Sequence, residues 1–244
     1  MPWQFVKLFL LKNLMVKDMS LESKNLDYKQ KLIRSFGRTK SRKLSNHKNS
    51  LLENFYESYK ISNIDNTNSK NFLEIGFGFG DFIFGKAKHN PDANFYGCEP
   101  HLNGIVNLLG MLKKEPLGNL KITNQDVRIF INNFPNNFFE KIFILFPDPW
   151  PKYKHFKRRL IDKNFLDQIL FPKLKNTGKI IIATDHDSYK TWILSHILQS
   201  SKFNWLANSK KSWQNFPNDW IITKYQKKAI LEGREPILIE IEKS

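Results

Sequence analysis

The sequence predicts an α/β fold, a parallel sheet covered by helices on both faces. Three observations carry that reading. Between residues 72 and 198, short apolar runs alternate five times with segments of helical spacing, and repeated β-then-α units build parallel sheets. The first run ends in Glu74-Ile-Gly76-Phe-Gly78-Phe-Gly80, the kind of glycine-rich turn at which a strand hands over to a helix. A chain of 244 residues that is 41% hydrophobic and 14% aromatic also has enough apolar material to bury one large core.

The elements follow in order. Leu51, Leu52, Phe55 and Tyr59 recur at helical spacing and predict a short N-terminal helix. The Asn- and Ser-rich stretch 62–70 reads as a linker. Strands are expected over 72–75, 94–98, 120–123, 141–146 and 179–184, the last carrying Ile180, Ile181 and Ile182, because β-branched and apolar runs suit a sheet buried on both faces. Helices are expected over 81–89, 101–114, 127–133, 156–170 and 189–198. Two further strands, near 203–206 and 237–241, bring the count to seven, the second closing the sheet as an edge hairpin. The chain then divides into a flexible extension over 1–23, a basic arm with its short helix over 24–61, and the α/β domain over 62–244.

The formal charge is +16, and it is concentrated. Between Lys29 and Lys48 there are eight basic side chains and no acid; between Lys152 and Arg159 there are five, again without an acid. Local basic patches imply a polyanion, either nucleic acid or an anionic surface. The apolar stretch 3–16 is interrupted by Lys7 and Lys12 and is too short to cross a bilayer, so no membrane partner is expected, and it lacks the small-residue site of a signal peptide. The single cysteine, Cys98, excludes an internal disulfide framework and a cysteine zinc cluster. It fits a reducing, cytoplasmic setting. The six histidines form no ligand pattern, so no metal is expected.

Chemistry concentrates at the ends of the expected strands. Glycines at 76, 78 and 80 let a ligand approach the backbone. Glu99 ends the second strand, where an acid can accept both ribose hydroxyls of an adenosine moiety. The glycine spacing is not the G-x-G-x-x-G of a nicotinamide cofactor, which disfavours a dehydrogenase. An acid two residues before the first glycine suits a ligand with an ammonium group and no pyrophosphate, as in S-adenosylmethionine (SAM) methyltransferases; the plain alternative is a tight turn using glycine for sterics. Asp126 stands just past the third strand, placed either for an adenine amino group or as a helix cap. The fourth strand ends in Phe146-Pro-Asp148-Pro-Trp150-Pro-Lys152. Its prolines fix the backbone around one carboxylate, and Trp150 offers a face on which a base can stack.

The stretch FPDPWPKYKHFKRR at 146–159 closely resembles the signature of the bacterial tRNA (guanine-N7-)-methyltransferases. LEIGFGFG at 73–80, ATD at 183–185, TKYQKKAILEGREP at 223–236 and RSFGRTKSRKL at 34–44 resemble the same family, so the likeness spans about 34–242. It implies a Rossmann-like SAM-dependent methyltransferase fold with a mostly parallel seven-stranded sheet. It implies SAM as cofactor, held by Glu74, Gly76, Glu99, Asp126 and Asp148, with Asp148 also catalytic. It implies that Lys152, Asp185, Thr223, Lys224, Tyr225 and Gln226 contact the substrate, and that the target is the guanine at position 46 in the tRNA variable region. Lys154, His155, Lys157, Arg158 and Arg159 are implied to hold the RNA. The working unit is expected to be a monomer or a homodimer. One position departs from the family, which usually has Glu where this chain has Gln226; an amide oxygen accepts more weakly than a carboxylate from a guanine edge.

Two other readings stay open on the sequence. Asp148-Pro-Trp echoes the Asp-Pro-Pro-aromatic motif of exocyclic-amino methyltransferases, although Trp150 stands where that motif has its second proline. A non-catalytic RNA-binding relative would keep the fold and lose turnover, with Gln226 as the suspect change. The aromatic residues Trp213, Phe216, Trp220 and Tyr225 read as local core rather than as stacking platforms. Outside the resemblance, Thr223 reads as a strand-end hydroxyl and Asp185 as a helix N-cap.

Overall fold

The computed structural model describes residues 44–61, 64 and 70–244. The extension over 1–23, nearly all of the basic arm and most of the linker lie outside the described residues. The elements are α1 (Asn46–Tyr59), β1 (Lys70–Ile75), α2 (Asp81–His89), β2 (Ala93–Cys98), α3 (Leu102–Lys114), β3 (Leu120–Thr123), α4 (Val127–Phe130), β4 (Phe139–Leu145), β5 (Leu174–Thr184), α5 (Asp187–Gln199), β6 (Phe203–Trp205), α6 (Lys210–Gln214), α7 (Lys224–Leu231) and β7 (Ile237–Lys243).

The seven strands form one sheet in the order β3-β2-β1-β4-β5-β7-β6. The first five pair in parallel, β1 between β2 and β4, and β7 runs antiparallel to β5 and β6. Alternation along each strand sorts side chains to two faces. Ile142 and Ile144 of β4 join Ile180, Ile182, Tyr189 and Ile193 on one side, while Phe143 and Leu145 join Phe82, Ile181 and Leu238 on the other. A further apolar cluster binds α1, α2 and α3 to β2 and β3 through Leu51, Ile83, Phe95, Leu108 and Ile122. This is the expected α/β architecture, with helices on both faces.

Two expectations fail here. The strand at 237–241 is not the closing edge; β7 lies inside the sheet and three-residue β6 forms the rim. Ile237, Leu238, Ile239 and Ile241 are all buried, as in a strand covered on both faces, and β7 pairs with β5 on one edge and β6 on the other. The helix expected over 156–170 is broken. A 3₁₀ segment, Tyr153–Arg158, ends at an extended Arg159, and a π-helical segment, Phe165–Leu170, begins after Asp162 accepts a hydrogen bond from the Phe165 amide (2.7 Å). The cause lies in α5. The Tyr189 hydroxyl accepts from the Ile161 amide (3.2 Å) and the Trp192 indole donates to the Ile161 carbonyl (2.7 Å), which withdraws both backbone groups from a helix.

Helices α6 and α7 arise where no helix is foreseen. Ser209 and Ser212 form a reciprocal capping box at α6, and the Thr223 hydroxyl accepts from the Gln226 amide (3.1 Å) at the start of α7. Side-chain oxygens at these positions satisfy amides that have no partner within the helix. Thr223 is therefore an N-cap and not a strand-end group.

Candidate active site

In a doubly wound sheet, ligands bind at the carboxyl ends of the strands where the strand order reverses. Here that point lies between β1 and β4. Glu74 sits near the end of β1, Glu99 just past β2, Asp126 just past β3, Asp148 in the turn after β4 and Asp185 just past β5. The topology thus brings five sequence-distant carboxylates to one rim.

Glu74 is 3% exposed, and its Oε2 has no hydrogen-bond partner. Burial, reinforced by the charge of Glu99, pushes its carboxyl up to about 8. A buried carboxylate oxygen without a donor is costly, and a cationic group entering the crevice relieves that cost. Glu99 is held in place by two backbone donors. The Gly78 amide reaches its Oε2 (2.9 Å) and the His101 amide its Oε1 (2.8 Å), leaving its remaining lone pairs for hydroxyl donors. Burial still raises its carboxyl above the usual range, and Asp148 is among the charges acting on it. Gly76, Gly78 and Gly80 all adopt left-handed backbone, φ 72°, 55° and 86°. A Cβ at Gly76 would stand in open space, so the cost there is conformational and the room beside it is free for a ligand.

Gly104, which the sequence does not single out, is equally demanding. A Cβ there would lie 2.3 Å from the Gly78 carbonyl oxygen and 2.8 Å from Glu99 Cγ, so only glycine lets α3 approach the cradle this closely. Asp126 does cap a helix. Its carboxylate accepts from the Arg128 amide (2.9 Å), from Arg128 Nε (2.8 Å) and from Arg128 Nη2 (2.7 Å). Desolvation acts to raise its pKa, but the bonds and charge of Arg128 outweigh it and hold the carboxyl below the usual range.

Asp148 is exposed in a turn whose flanks are both left-handed, Phe146 at φ 53° and Trp150 at φ 44°. Non-glycine residues persist in that region only where the surroundings impose it. The Phe146 amide donates to the Ala183 carbonyl (2.8 Å), extending the β4–β5 pairing up to the turn. The Arg158 guanidinium lies 4.9 Å from the Trp150 ring, and His155 meets the same ring edge-on at 5.7 Å. Lys152, Lys154 and Lys157 are exposed, and His155 and Arg158 are half-buried. Arg159 is the exception among the expected RNA contacts. It is 5% exposed, turned away from solvent, and donates to the Pro149 carbonyl and to Ser188.

The C-terminal segment arranges the other expected contacts. Tyr225 is 50% exposed, so it is not core as the sequence suggests; its ring lies over Gly78 and 6.0 Å from that of Phe79. Burial, with the charges of Glu99 and Asp148, raises its hydroxyl pKa, which places Tyr225 in the field of both carboxylates. Lys224 Nζ lies 4.5 Å from the Phe79 ring centroid. The Gln226 side chain points inward, 4% exposed, and its Oε1 accepts from the Trp220 indole (2.8 Å). Trp220 and Phe216 pack against the core and Trp213 packs against Trp205. Asp185 is not the N-cap of α5, a position that His186 occupies; it accepts from Arg234 Nε (2.6 Å). Arg234 and Trp220 are the partners the sequence does not reveal: Arg234 meets Asp185 only when segments 49 residues apart fold together, and Trp220 meets Gln226 across the turn that leads into α7.

Among the described residues, no group of three or more His, Cys, Asp or Glu side chains is placed to hold a metal ion. No helix among them is long and apolar enough to cross a membrane.

A family model described as putative methyltransferase matches residues 68–238. A tRNA (guanine-N(7)-)-methyltransferase of Hyphomonas neptunium (strain ATCC 15444) is 36% identical over 207 residues, covering 81% of this chain and 94% of the relative. The chain belongs to the tRNA (guanine-N7-)-methyltransferase family. A second member, from Wolbachia pipientis wMel, is 38% identical over 191 residues, 75% of this chain and 83% of its own length. Among solved structures, a putative methyltransferase from Streptococcus mutans aligns with a TM-score of 0.48 at 13% identity, over 82% of this chain and 100% of that one. At this sheet edge Glu74 lies in the field of Glu99, and Glu99 and Tyr225 both lie in the field of Asp148, with Asp126 and Asp185 at the neighbouring strand ends.

Proposed function

We propose that this chain acts in the cytoplasm, transferring the methyl group of S-adenosylmethionine to N7 of a guanine in tRNA, with guanine 46 of the variable region as the target. The observation that carries the reading is the set of acids at the strand-order reversal. A buried, partner-less Glu74 carboxylate oxygen, an amide-braced Glu99 and a turn-held Asp148 meet there on a chain whose near full-length relatives bear that activity in their names. The residues fit the cofactor. Glu74 offers negative charge to an ammonium group, Glu99 offers lone pairs to ribose hydroxyls, and left-handed Gly76 leaves the backbone open between their strands.

When bound, SAM supplies an electrophilic methyl on a sulfonium. Guanine N7 carries a lone pair and no proton, so the chain needs no strong base and its main task is alignment. Asp148 stands at the rim with its backbone held by Pro147 and Pro149. There its carboxylate can accept from a base amino group and stabilise the positive charge that N7 methylation creates. Tyr225 and Lys224, at the start of α7, border the glycine turn and narrow the way in for the base.

The exposed lysines of the 152–158 segment follow directly on the Asp148 turn, so a phosphate held there brings its nucleotide within reach of the carboxylate. Replacing Lys154 and Lys157 with Gln is expected to weaken tRNA binding. The slope of log affinity against log salt should fall by about one for each phosphate that the variant no longer neutralises. A titration at several salt concentrations checks this, and an unchanged slope would remove the segment from the RNA interface.

The reading as a whole is tested by incubating the chain with SAM and unmodified tRNA and mapping the modified nucleosides. N7-methylguanosine at position 46 is the expected product. Methylation of an exocyclic amino group would favour the second enzyme class. Tight tRNA binding with no SAM uptake would favour a non-catalytic relative.

A further inference from the structure

Arg159 is a buried arginine whose contacts are spent within the protein. Its Nε donates to the Pro149 carbonyl (2.9 Å), Nη1 to the Ser188 carbonyl (3.2 Å) and Nη2 to Ser188 Oγ (2.9 Å). The guanidinium carbon lies 3.7 Å from the Phe156 ring centroid, 5.1 Å from that of Tyr189 and 5.2 Å from that of Trp192. These contacts use what is particular to arginine, a rigid planar fork that donates in two directions while stacking on aromatic faces.

Both ends of that fork matter by position. Pro149 directly follows Asp148, and Ser188 lies in the first turn of α5, three residues beyond Asp185. We infer that Arg159 is a positioning residue for methyl transfer, a clasp that ties the Asp148 turn to the start of α5 so that the carboxylates after β4 and β5 are held as one unit. The inference rests on the methyltransferase reading above for its link to catalysis.

Two further observations support the clasp. The Asp148 turn holds Phe146 and Trp150 in left-handed backbone, which lasts only when the surroundings over-determine it, and Arg159 fixes the carbonyl between Asp148 and Trp150. The bonds from Tyr189 and Trp192 to Ile161 attach the far end of the same segment to the same helix. The basic run 152–159 therefore divides by function. Its exposed lysines face solvent, and its last arginine faces the machinery.

The test uses the full chain with Arg159→Gln, Arg159→Lys, Ser188→Ala and the double variant Arg159→Gln/Ser188→Ala, in three kinds of measurement. These are kcat and KM for tRNA, the salt slope of tRNA binding, and hydrogen exchange of the 147–161 segment and the first turn of α5. For Arg159→Gln, kcat should fall by about 10²-fold, the scale of a misplacement near one ångström, while the salt slope stays at the wild-type value. Arg159→Lys keeps the charge but replaces the fork with a single ammonium, and should still lose about tenfold or more in kcat. Ser188→Ala should lose less, and its loss should not add to that of Arg159→Gln, because both break one clasp. Exchange should accelerate in the two clasped segments and not across the rest of the sheet.

A salt slope lowered by about one with kcat retained would make Arg159 a phosphate contact and overturn the inference. Unchanged kcat in Arg159→Gln, additive losses with Ser188→Ala, or unchanged exchange would overturn it equally. If Arg159→Gln does not fold, Arg159→Lys and Ser188→Ala carry the test. The exchange measurement needs no turnover. A wild-type chain inactive on tRNA would refute the methyltransferase reading, while the clasp would still stand or fall on whether Arg159→Lys loosens the two segments.

Discussion

Asp148→Ala is expected to reduce methyl transfer by at least about 10²–10³-fold, the usual cost of removing one group aimed at developing charge, while tRNA binding changes by no more than a few-fold. The two effects separate because Asp148 stands on the crevice rim, whereas the exposed lysines lie along the segment that follows it. Its charge acts on both Glu99 and Tyr225, so the carboxylate belongs to the electrostatics of the crevice. Asp148→Asn divides the role further. The amide keeps an acceptor oxygen for a base amino group but loses the charge, so an activity close to that of Asp148→Ala would assign most of the effect to charge. Single-turnover assays with saturating tRNA measure both variants, and full activity in Asp148→Ala would sink the catalytic assignment.

Glu74→Gln should move stability and cofactor binding in opposite directions. Without ligand, Glu74 is neutral in the folded chain up to about 8, whereas in the unfolded chain it ionises from about 4.5. Across that window the unfolded state binds fewer protons than the folded one. The contribution of Glu74 to wild-type stability is therefore fully present below about 4.5, declines as pH rises through the window, and is lost above about 8. Glutamine carries no such penalty, so ligand-free Glu74→Gln should gain on wild type as pH rises, by up to a few kcal/mol at about pH 9. Thermal unfolding of both proteins at about pH 5 and about pH 9 measures the difference.

Binding runs the other way. An ammonium group beside Glu74 favours its ionised form, so uptake of SAM by the wild type should release a proton and tighten between about pH 6 and about pH 8. Glu74→Gln should bind at least about tenfold more weakly at about pH 8 and lose that pH dependence. Calorimetry in buffers of different ionisation enthalpy counts the proton, and equal pH dependence in both proteins would remove Glu74 from the cofactor site.

Much of the fold is legible in the chain because its signals are local. The strand over 120–123 and the helix over 81–89 match their observed bounds, and each is written in the spacing of neighbouring apolar residues. Elements held by distant partners read poorly. The segment 156–170 has helical spacing, yet Tyr189 and Trp192 take the backbone groups of Ile161. The apolar run at 237–241 reads as an edge, and the sheet instead places β7 inside, because pairing partners are set by the whole assembly of strands.

The site divides along the same line. The sequence alone determined which residue types stand at the strand ends: the acids Glu74, Glu99, Asp126 and Asp148, the glycine turn, and the basic run after Asp148. Those follow from order along the chain, since every β-then-α unit delivers its strand end to the same rim. Only the tertiary structure decided what each side chain does there. It joined Asp185 to Arg234 and turned Gln226 inward with its oxygen on the Trp220 indole. It also buried Arg159 among rings from two segments while leaving Lys157 in solvent. A row of like charges in a sequence carries no sign of which one will be desolvated. That depends on donors, acceptors and aromatic faces that lie tens of residues away and meet only when the chain folds.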